Sequence, residues 1–250
     1  RTVRHAMQGV DTVIHLAAYG SVVESVMDPD TNFDINARGT LTILEGARDA
    51  SAKRFVFAST GGAIMGDTPP PVNEHSVPRP ISPYGASKLC GEAYCHAFAG
   101  SYTLNTVILR FGNVYGPYSA HKKGAVTTFI NALLTGEPIR IYGDGSASRD
   151  LLHVRDLCDG ILRAAATDLP ASTTLHLASG VETSVASLAT LLKTIAGRPN
   201  HPTEYLEERP GEVSRNFADA NAAARMLHFC ASRDIETGMR DTWDWFQNGT

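Results

Sequence analysis

No apolar run in this sequence approaches the roughly 20 residues a helix needs to cross a bilayer, and nothing at its start reads as a targeting segment. The expected location is therefore the cytoplasm. Only four cysteines occur, Cys90, Cys95, Cys158 and Cys230, without a CxxC pair; reduced thiols are expected, with neither a disulfide framework nor a zinc site. Basic tracts are missing as well. The 22 Lys and Arg are interspersed with 26 Asp and Glu, for a net charge of -4, which speaks against electrostatic capture of nucleic acid or of an anionic membrane. Nine histidines are scattered with no HExxH pair, so no metal is expected. Internal repeats and low-complexity tracts are also lacking. What remains is 250 residues, 43% hydrophobic and 19% charged, enough for one large domain or a major domain with a smaller lobe. Small-molecule chemistry is the expected business of such a chain.

What is present is alternation. Val3, Ala6, Met7 and Gly9 read as the last turn of a helix closed by glycine, followed by a strand over Thr12 to Ala17. A helix is predicted around Asp34 to Ala50, then a buried strand from Arg54 to Ala58, rich in aromatic and branched residues. Further helices are predicted at Ser82 to Ala99, Val126 to Leu134 and Asp156 to Ala166, with a strand at Asn105 to Phe111. Strands and helices alternating in this way imply a parallel sheet covered on both faces. After residue 170 the spacing loosens, with a strand near Thr174 to Leu177 and helices over Ser184 to Ala196, Ala220 to Leu227 and Ile235 to Phe246. The division expected is a dinucleotide-binding domain over 1–111 with about 151–170, and a substrate-binding lobe over 112–150 and 171–250.

The segment richest in chemistry is Ser82-Pro83-Tyr84-Gly85-Ala86-Ser87-Lys88. Ser82 suits an N-cap and Pro83 a first helical turn, where its missing N–H costs nothing. Tyr84 and Lys88 then stand one turn apart on one face. A tyrosine of ordinary pKa about 10 is a poor base near neutrality, and an adjacent ammonium is expected to lower that value. Taken alone, the spacing fits two neighbours on a solvated helix better than a catalytic pair.

Its surroundings add a resemblance. Asp11-Thr12-Val13-Ile14-His15-Leu16-Ala17-Ala18, Asn36-Ala37-Arg38-Gly39-Thr40, Phe57-Ala58-Ser59-Thr60-Gly61-Gly62, the YxxxK helix, Arg110-Phe111-Gly112-Asn113-Val114-Tyr115-Gly116-Pro117, Arg149-Asp150-Leu151-Leu152-His153-Val154 and Arg209-Pro210-Gly211-Glu212 follow one another in an order that resembles the extended short-chain dehydrogenase/reductase family. Within that family the chain is most similar to the NAD-dependent epimerase/dehydratases of the UDP-glucose 4-epimerase group. The resemblance implies a doubly wound Rossmann-type sheet, NAD as cofactor, a nucleotide-sugar substrate of the UDP-hexose kind and a homodimer. It makes Tyr84 the catalytic acid/base, Lys88 the residue that tunes it and holds the cofactor ribose, and Thr60 the hydroxyl that meets the reacting sugar oxygen. His15, Leu16, Ala17, Ala18 and Asn36 join Tyr84 and Lys88 along the cofactor, although His15 also reads as a satisfied buried histidine. Asn113 is implied at the sugar or phosphate, and Arg149 and Arg209 at the diphosphate, where planar guanidinium groups are well suited.

Departures from the family pattern sharpen these expectations. Dehydratases of this kind carry an acid pair just after the catalytic hydroxyl, because loss of water needs an extra acid and base; here Gly61 and Gly62 stand there. Inversion at C4 through a transient 4-keto sugar is the activity expected. The alternatives are a related reductase or dehydratase, or a non-catalytic nucleotide-sugar binding fragment. The strand, glycine-rich turn and helix that would cradle a pyrophosphate are not found in the sequence, which opens on Arg1. The expectation is a sheet lacking its N-terminal strands, a fragment of a longer product with weak dinucleotide binding and an unpaired apolar edge at Thr12 to Ala17. Met65 replaces a usual tyrosine, with an expected effect on packing beside the sugar. Asn216 occupies a position where a bulky tyrosine excludes N-acetyl groups, so UDP-N-acetylhexosamines are expected to be admitted.

Overall fold

Alternation of side chains along two central strands sets the architecture of the chain, described by a computed structural model over residues 2–208 and 213–249. The chain runs from α1 (Thr2–Ala6) into β1 (Thr12–His15), then through α2 (Val22–Met27), α3 (Pro29–Phe33) and a π-helical turn (Asp34–Arg38) into α4 (Gly39–Asp49). Next come β2 (Arg54–Thr60), α5 (Pro83–Ser101), β3 (Asn105–Phe111), β4 (Asn113–Tyr115), α6 (Ala125–Thr135), β5 (Ile139–Tyr142) and β6 (Ser148–His153). The remainder is α7 (Val154–Ala166), β7 (Thr173–Leu177), β8 (Glu182–Ser184), α8 (Val185–Ile195), β9 (Thr203–Leu206), β10 (Arg215–Asn216), α9 (Asn221–Leu227) and α10 (Ile235–Gln247).

The first sheet is parallel, in the order β1-β2-β3-β7. Successive strand residues point to opposite faces, so Phe55, Phe57 and Ile108 pack with Leu44, Ala47, Cys95 and Phe98 on one side. Val56, Val107 and Leu109 pack with Leu157, Ile161, Ala164 and Leu227 on the other. Helices α4 and α5 thus cover one face and α7 and α9 the second, the doubly wound arrangement. Among the described residues β1 pairs only with β2. It forms an edge, where Ile14 is 38% exposed and Leu16, just beyond the strand, 55% exposed.

A second sheet orders β10-β6-β4 in parallel, with β8 antiparallel on β6, and β5 and β9 form a separate parallel pair. Helices α6, α8 and α10 share a core with Tyr115, Ile141 and Trp243. Two expected boundaries shift. The strand at Thr173–Leu177, assigned by sequence to the substrate lobe, is the fourth strand of the first sheet. Residues 151–153, assigned to the dinucleotide-binding domain, belong to β6 in the second. The first strand also stops at His15, leaving Leu16, Ala17 and Ala18 as an exposed strip beyond its C-terminal end. Among the described residues no helix is long and apolar enough to cross a membrane.

Candidate active site

Helix α5 starts where the sequence predicts. Ser82 caps it by accepting a hydrogen bond from Gly85 N at 3.1 Å, and Pro83 occupies its first turn. The following backbone N–H, of Tyr84, donates to Ser25 Oγ at 3.1 Å, so the short helix α2 holds the start of α5 as well. Gly85 brings this turn against the end of β2: a methyl group at its Cα would stand 2.1 Å from the Ala63 carbonyl oxygen. Ala63 N in turn donates to Thr60 Oγ1 at 3.3 Å. The first turn of the Tyr84 helix and the Thr60 hydroxyl are therefore parts of one contact, at the C-terminal end of the first sheet, where open α/β sheets present ligands.

Electrostatics at Tyr84 differ from the sequence expectation. Burial pushes its phenol above the ordinary value, and the Lys88 charge does not offset this. The amine itself is buried over an aromatic ring. Lys88 is 3% exposed, and its Nζ lies 4.3 Å from the centre of the Phe57 ring. Burial pushes Lys88 down to about 8, with Cys95 and Glu92 opposing the shift.

Asn36, from the π-helical turn, lies 2% exposed beneath the same region. Its amide accepts from Tyr19 N at 2.7 Å and donates to Tyr19 O at 3.1 Å and to Ser87 Oγ at 3.0 Å. Ser87 donates to Tyr84 O at 2.8 Å. Asn36 is thus committed to fastening the loop after β1 onto α5, between Tyr84 and Lys88. His15 is buried too, with Nε2 3.1 Å from Thr40 Oγ1 and its ring between Phe55 and Phe57. Burial, reinforced by the Lys88 charge, pushes it down to about 4, which fits the satisfied buried histidine.

The second sheet supplies the facing side. Asn216 is in register with Arg149, and Asn113 with Leu151, two residues further along β6; register partners and alternate residues share a face. Asn113 is exposed and Arg149 half-buried, with Nη1 donating to Ser148 O at 2.8 Å. Asn216 is 7% exposed, its Oδ1 3.2 Å from where a methyl on Gly62 would stand, and its Nδ2 has no partner among the described residues. It therefore abuts the turn that follows Thr60. Met65 is wholly buried with Ile64, Val72 and Ala178, a core residue. Arg209 lies outside the described residues.

Three groups escaped the sequence reading. Glu92 and Arg110 form a buried ion pair, to which Ser59 adds a 2.5 Å hydrogen bond. Ser25 holds Tyr84. Asp150 accepts from Ser179 N and Oγ, each at 2.7 Å, and from Gly180 N at 3.0 Å and Ala218 N at 3.4 Å. A YxxxKxxxE spacing was visible, but the arginine that answers the glutamate is 18 residues further on.

Comparison with known proteins agrees with this geometry. The NAD-dependent epimerase/dehydratase family matches residues 1–177. A UDP-glucose 4-epimerase of Mycolicibacterium smegmatis is 35% identical over 244 residues, 95% of this chain and 76% of that protein. The crystal structure of a UDP-glucose 4-epimerase from Thermotoga maritima with UDP-glucose superposes with a TM-score of 0.94 at 34% identity, covering 99% of this chain and 81% of that one. A UDP-glucuronic acid 4-epimerase from Bacillus cereus, in complex with UDP-glucuronic acid and NAD, gives 0.93 at 27% identity, covering 99% of this chain and 79% of that one. With the family model spanning residues 1–177 and a relative 35% identical over 95% of its length, the chain belongs to the NAD-dependent epimerase/dehydratase family.

Proposed function

We propose that the chain carries the site of a nucleotide-sugar 4-epimerase of the UDP-glucose/UDP-galactose type. The observation that carries the reading is the contact of Gly85 with Ala63, which sets the Tyr84 turn against the Thr60 hydroxyl. A C4–H bond beside a hydroxyl is not acidic, so inversion there needs oxidation to a 4-ketone and return of hydride to the other face. NAD supplies that hydride acceptance and return when bound.

The residues present fit its nicotinamide ribose end. Lys88 is a buried ammonium with no hydrogen-bond partner among the described residues, and Leu16, Ala17 and Ala18 form an exposed strip just past His15, the histidine that feels the Lys88 charge. In this reading Lys88 donates to the ribose hydroxyls. Tyr84 Oη carries the proton exchanged with the C4 oxygen, and Thr60 Oγ1 hydrogen-bonds the same oxygen and fixes its direction. Asn113, Arg149 and Arg209 hold the sugar-diphosphate. Gly61 and Gly62 supply no acid or base, which favours epimerisation over dehydration. The compact Asn216 leaves room for an N-acetyl group, so UDP-N-acetylglucosamine is turned over alongside UDP-glucose; strict preference for UDP-glucose would remove that part. The reading includes a homodimer working in the cytoplasm.

The test is conversion of UDP-glucose to UDP-galactose with NAD by the chain and by Tyr84→Phe. A loss of about 10² to 10⁴-fold is expected for the variant, with UDP-glucose binding retained. An unchanged rate would overturn the assignment. A second reading, a non-catalytic nucleotide-sugar binding module, rests on the absence of GxGxxG from the sequence. UDP-glucose binding with no turnover at saturating NAD would favour it.

A further inference from the structure

A buried amine ordinarily finds a carboxylate. Lys88 does not: its Nζ makes no hydrogen bond or ion pair to the described residues and sits over the face of Phe57, 4.3 Å from the ring centre. Phe57 itself is fully buried on β2. Glu92, four residues after Lys88 and so on the same face of α5, is already engaged. It accepts from Arg110 at 2.8 and 3.0 Å and from Ser59 at 2.5 Å. The other titratable groups facing Lys88 are Cys95 on its own helix and His15 on β1, with Arg110 of β3 behind Glu92. His15 is neutral near pH 7, since burial and the Lys88 charge hold it near 4. The ring is therefore the surface the ammonium meets.

This meeting needs a gap in the helix. A methyl group on Gly91 would stand 2.5 Å from Phe57 Cζ, closer than any side-chain carbon tolerates. Glycine at that position lets the ring slide beneath α5, and Lys88, one turn earlier, reaches over its face. The negative face of an aromatic ring attracts a cation, more strongly when both are desolvated.

We propose that Phe57 is a positioning residue: its ring face, admitted under α5 by Gly91, seats the Lys88 ammonium and favours its charged form. The seat is a property of the chain alone, while its consequence for catalysis rests on the proposed role of Lys88 toward ribose and Tyr84. Burial leaves Lys88 near 8, so at pH 7.5 the amine is mostly charged. Loss of the ring, an attraction equivalent to about one pH unit, shifts the balance towards the neutral amine.

The experiment is a pH titration of the full chain labelled with [ε-13C]lysine, in which each of the five lysines gives one resonance and Lys88→Arg assigns the one of interest. Two substitutions at Phe57 are compared. Phe57→Leu removes the ring, and 3,5-difluorophenylalanine at position 57 keeps its shape while draining charge from its face. The Lys88 midpoint is expected to move down by about one pH unit in the first and by a smaller amount, in the same direction, in the second. An unmoved midpoint in the difluoro protein overturns the proposal, whatever happens to Phe57→Leu, and the difluoro protein alone decides if the leucine variant does not fold. No substrate or cofactor enters this measurement. A chain without epimerase activity therefore leaves the result standing, and a failed titration leaves the epimerase reading to its own test.

Discussion

Arg110 and Glu92 meet in a two-pronged ion pair, Nε to Oε1 at 3.0 Å and Nη2 to Oε2 at 2.8 Å, with 6% and 2% of their side chains exposed. The pair joins β3 to α5, and Ser59, the neighbour of Thr60, adds a third bond from β2. Removing one partner strands the other charge in the interior, which costs about 3–5 kcal/mol. Arg110→Met is therefore expected to lower stability by that amount in urea unfolding. A loss below about 1 kcal/mol would show that water reaches the abandoned carboxylate.

The Asn36 clamp gives a local prediction. Its Oδ1 is the acceptor for Tyr19 N, and its Nδ2 reaches Tyr19 O and Ser87 Oγ. In Asn36→Ala these buried groups lose their partners, at about 1–3 kcal/mol for each left unpaired. Hydrogen exchange at the Tyr19 amide is expected to accelerate strongly while the amides of β3 keep their protection. Equal protection of Tyr19 in both proteins would refute the clamp.

Acid sensitivity follows from two histidines. Burial, with the Lys88 charge for His15 and the Arg110 charge for His176, pushes both down to about 4. The folded chain keeps each ring neutral while the unfolded chain takes up a proton below about pH 6.5. Stability is thus full above pH 6.5 and falls as pH drops towards 4, by at most about 3 kcal/mol per ring. Unfolding midpoints at pH 7.5 and 5.0 measure the slope, and His176→Asn is expected to flatten it. An identical slope in the variant would exclude His176 as its source.

Gly85 tests the join between the Tyr84 turn and the end of β2. The obstacle to a methyl group there is backbone, the Ala63 carbonyl oxygen at 2.1 Å, so no side-chain rotation relieves it. Gly85→Ala is expected to cost about 1–3 kcal/mol and, on the proposed reading, to lower turnover of UDP-glucose far more than binding, because the first turn of α5 is pushed away from the Ala63 segment that holds Thr60 Oγ1. Full activity in a folded Gly85→Ala protein would remove the contact from the mechanism.

Elements with strong local signals were legible. Ser82 and Pro83 mark the start of α5, and the apolar run Asn105 to Phe111 coincides with β3. Helices α2 and α3 were missed because they are only six and five residues long, and because Val22, Val23, Val26 and Met27 are exposed, so no buried stripe repeats. Their caps were readable: Ser21 accepts from Glu24 N, and Asp28 accepts from Thr31 N. The identity of Tyr84 and Lys88 was visible, but the direction of the phenol shift was not. It comes from burial of the phenol, which is set by distant segments packing around α5 and not by the spacing of the two residues. The strands of the second sheet are two to six residues long and paired across distant segments, which local pattern does not reveal.

Asp150 sits on β6, yet its carboxylate takes hydrogen bonds from Ser179 and Gly180, just past the end of β7, and from Ala218, just past β10. One buried carboxylate thereby ties the second sheet to the segment that leaves β7 in the first. A change at any one of these three segments is therefore transmitted to the other two.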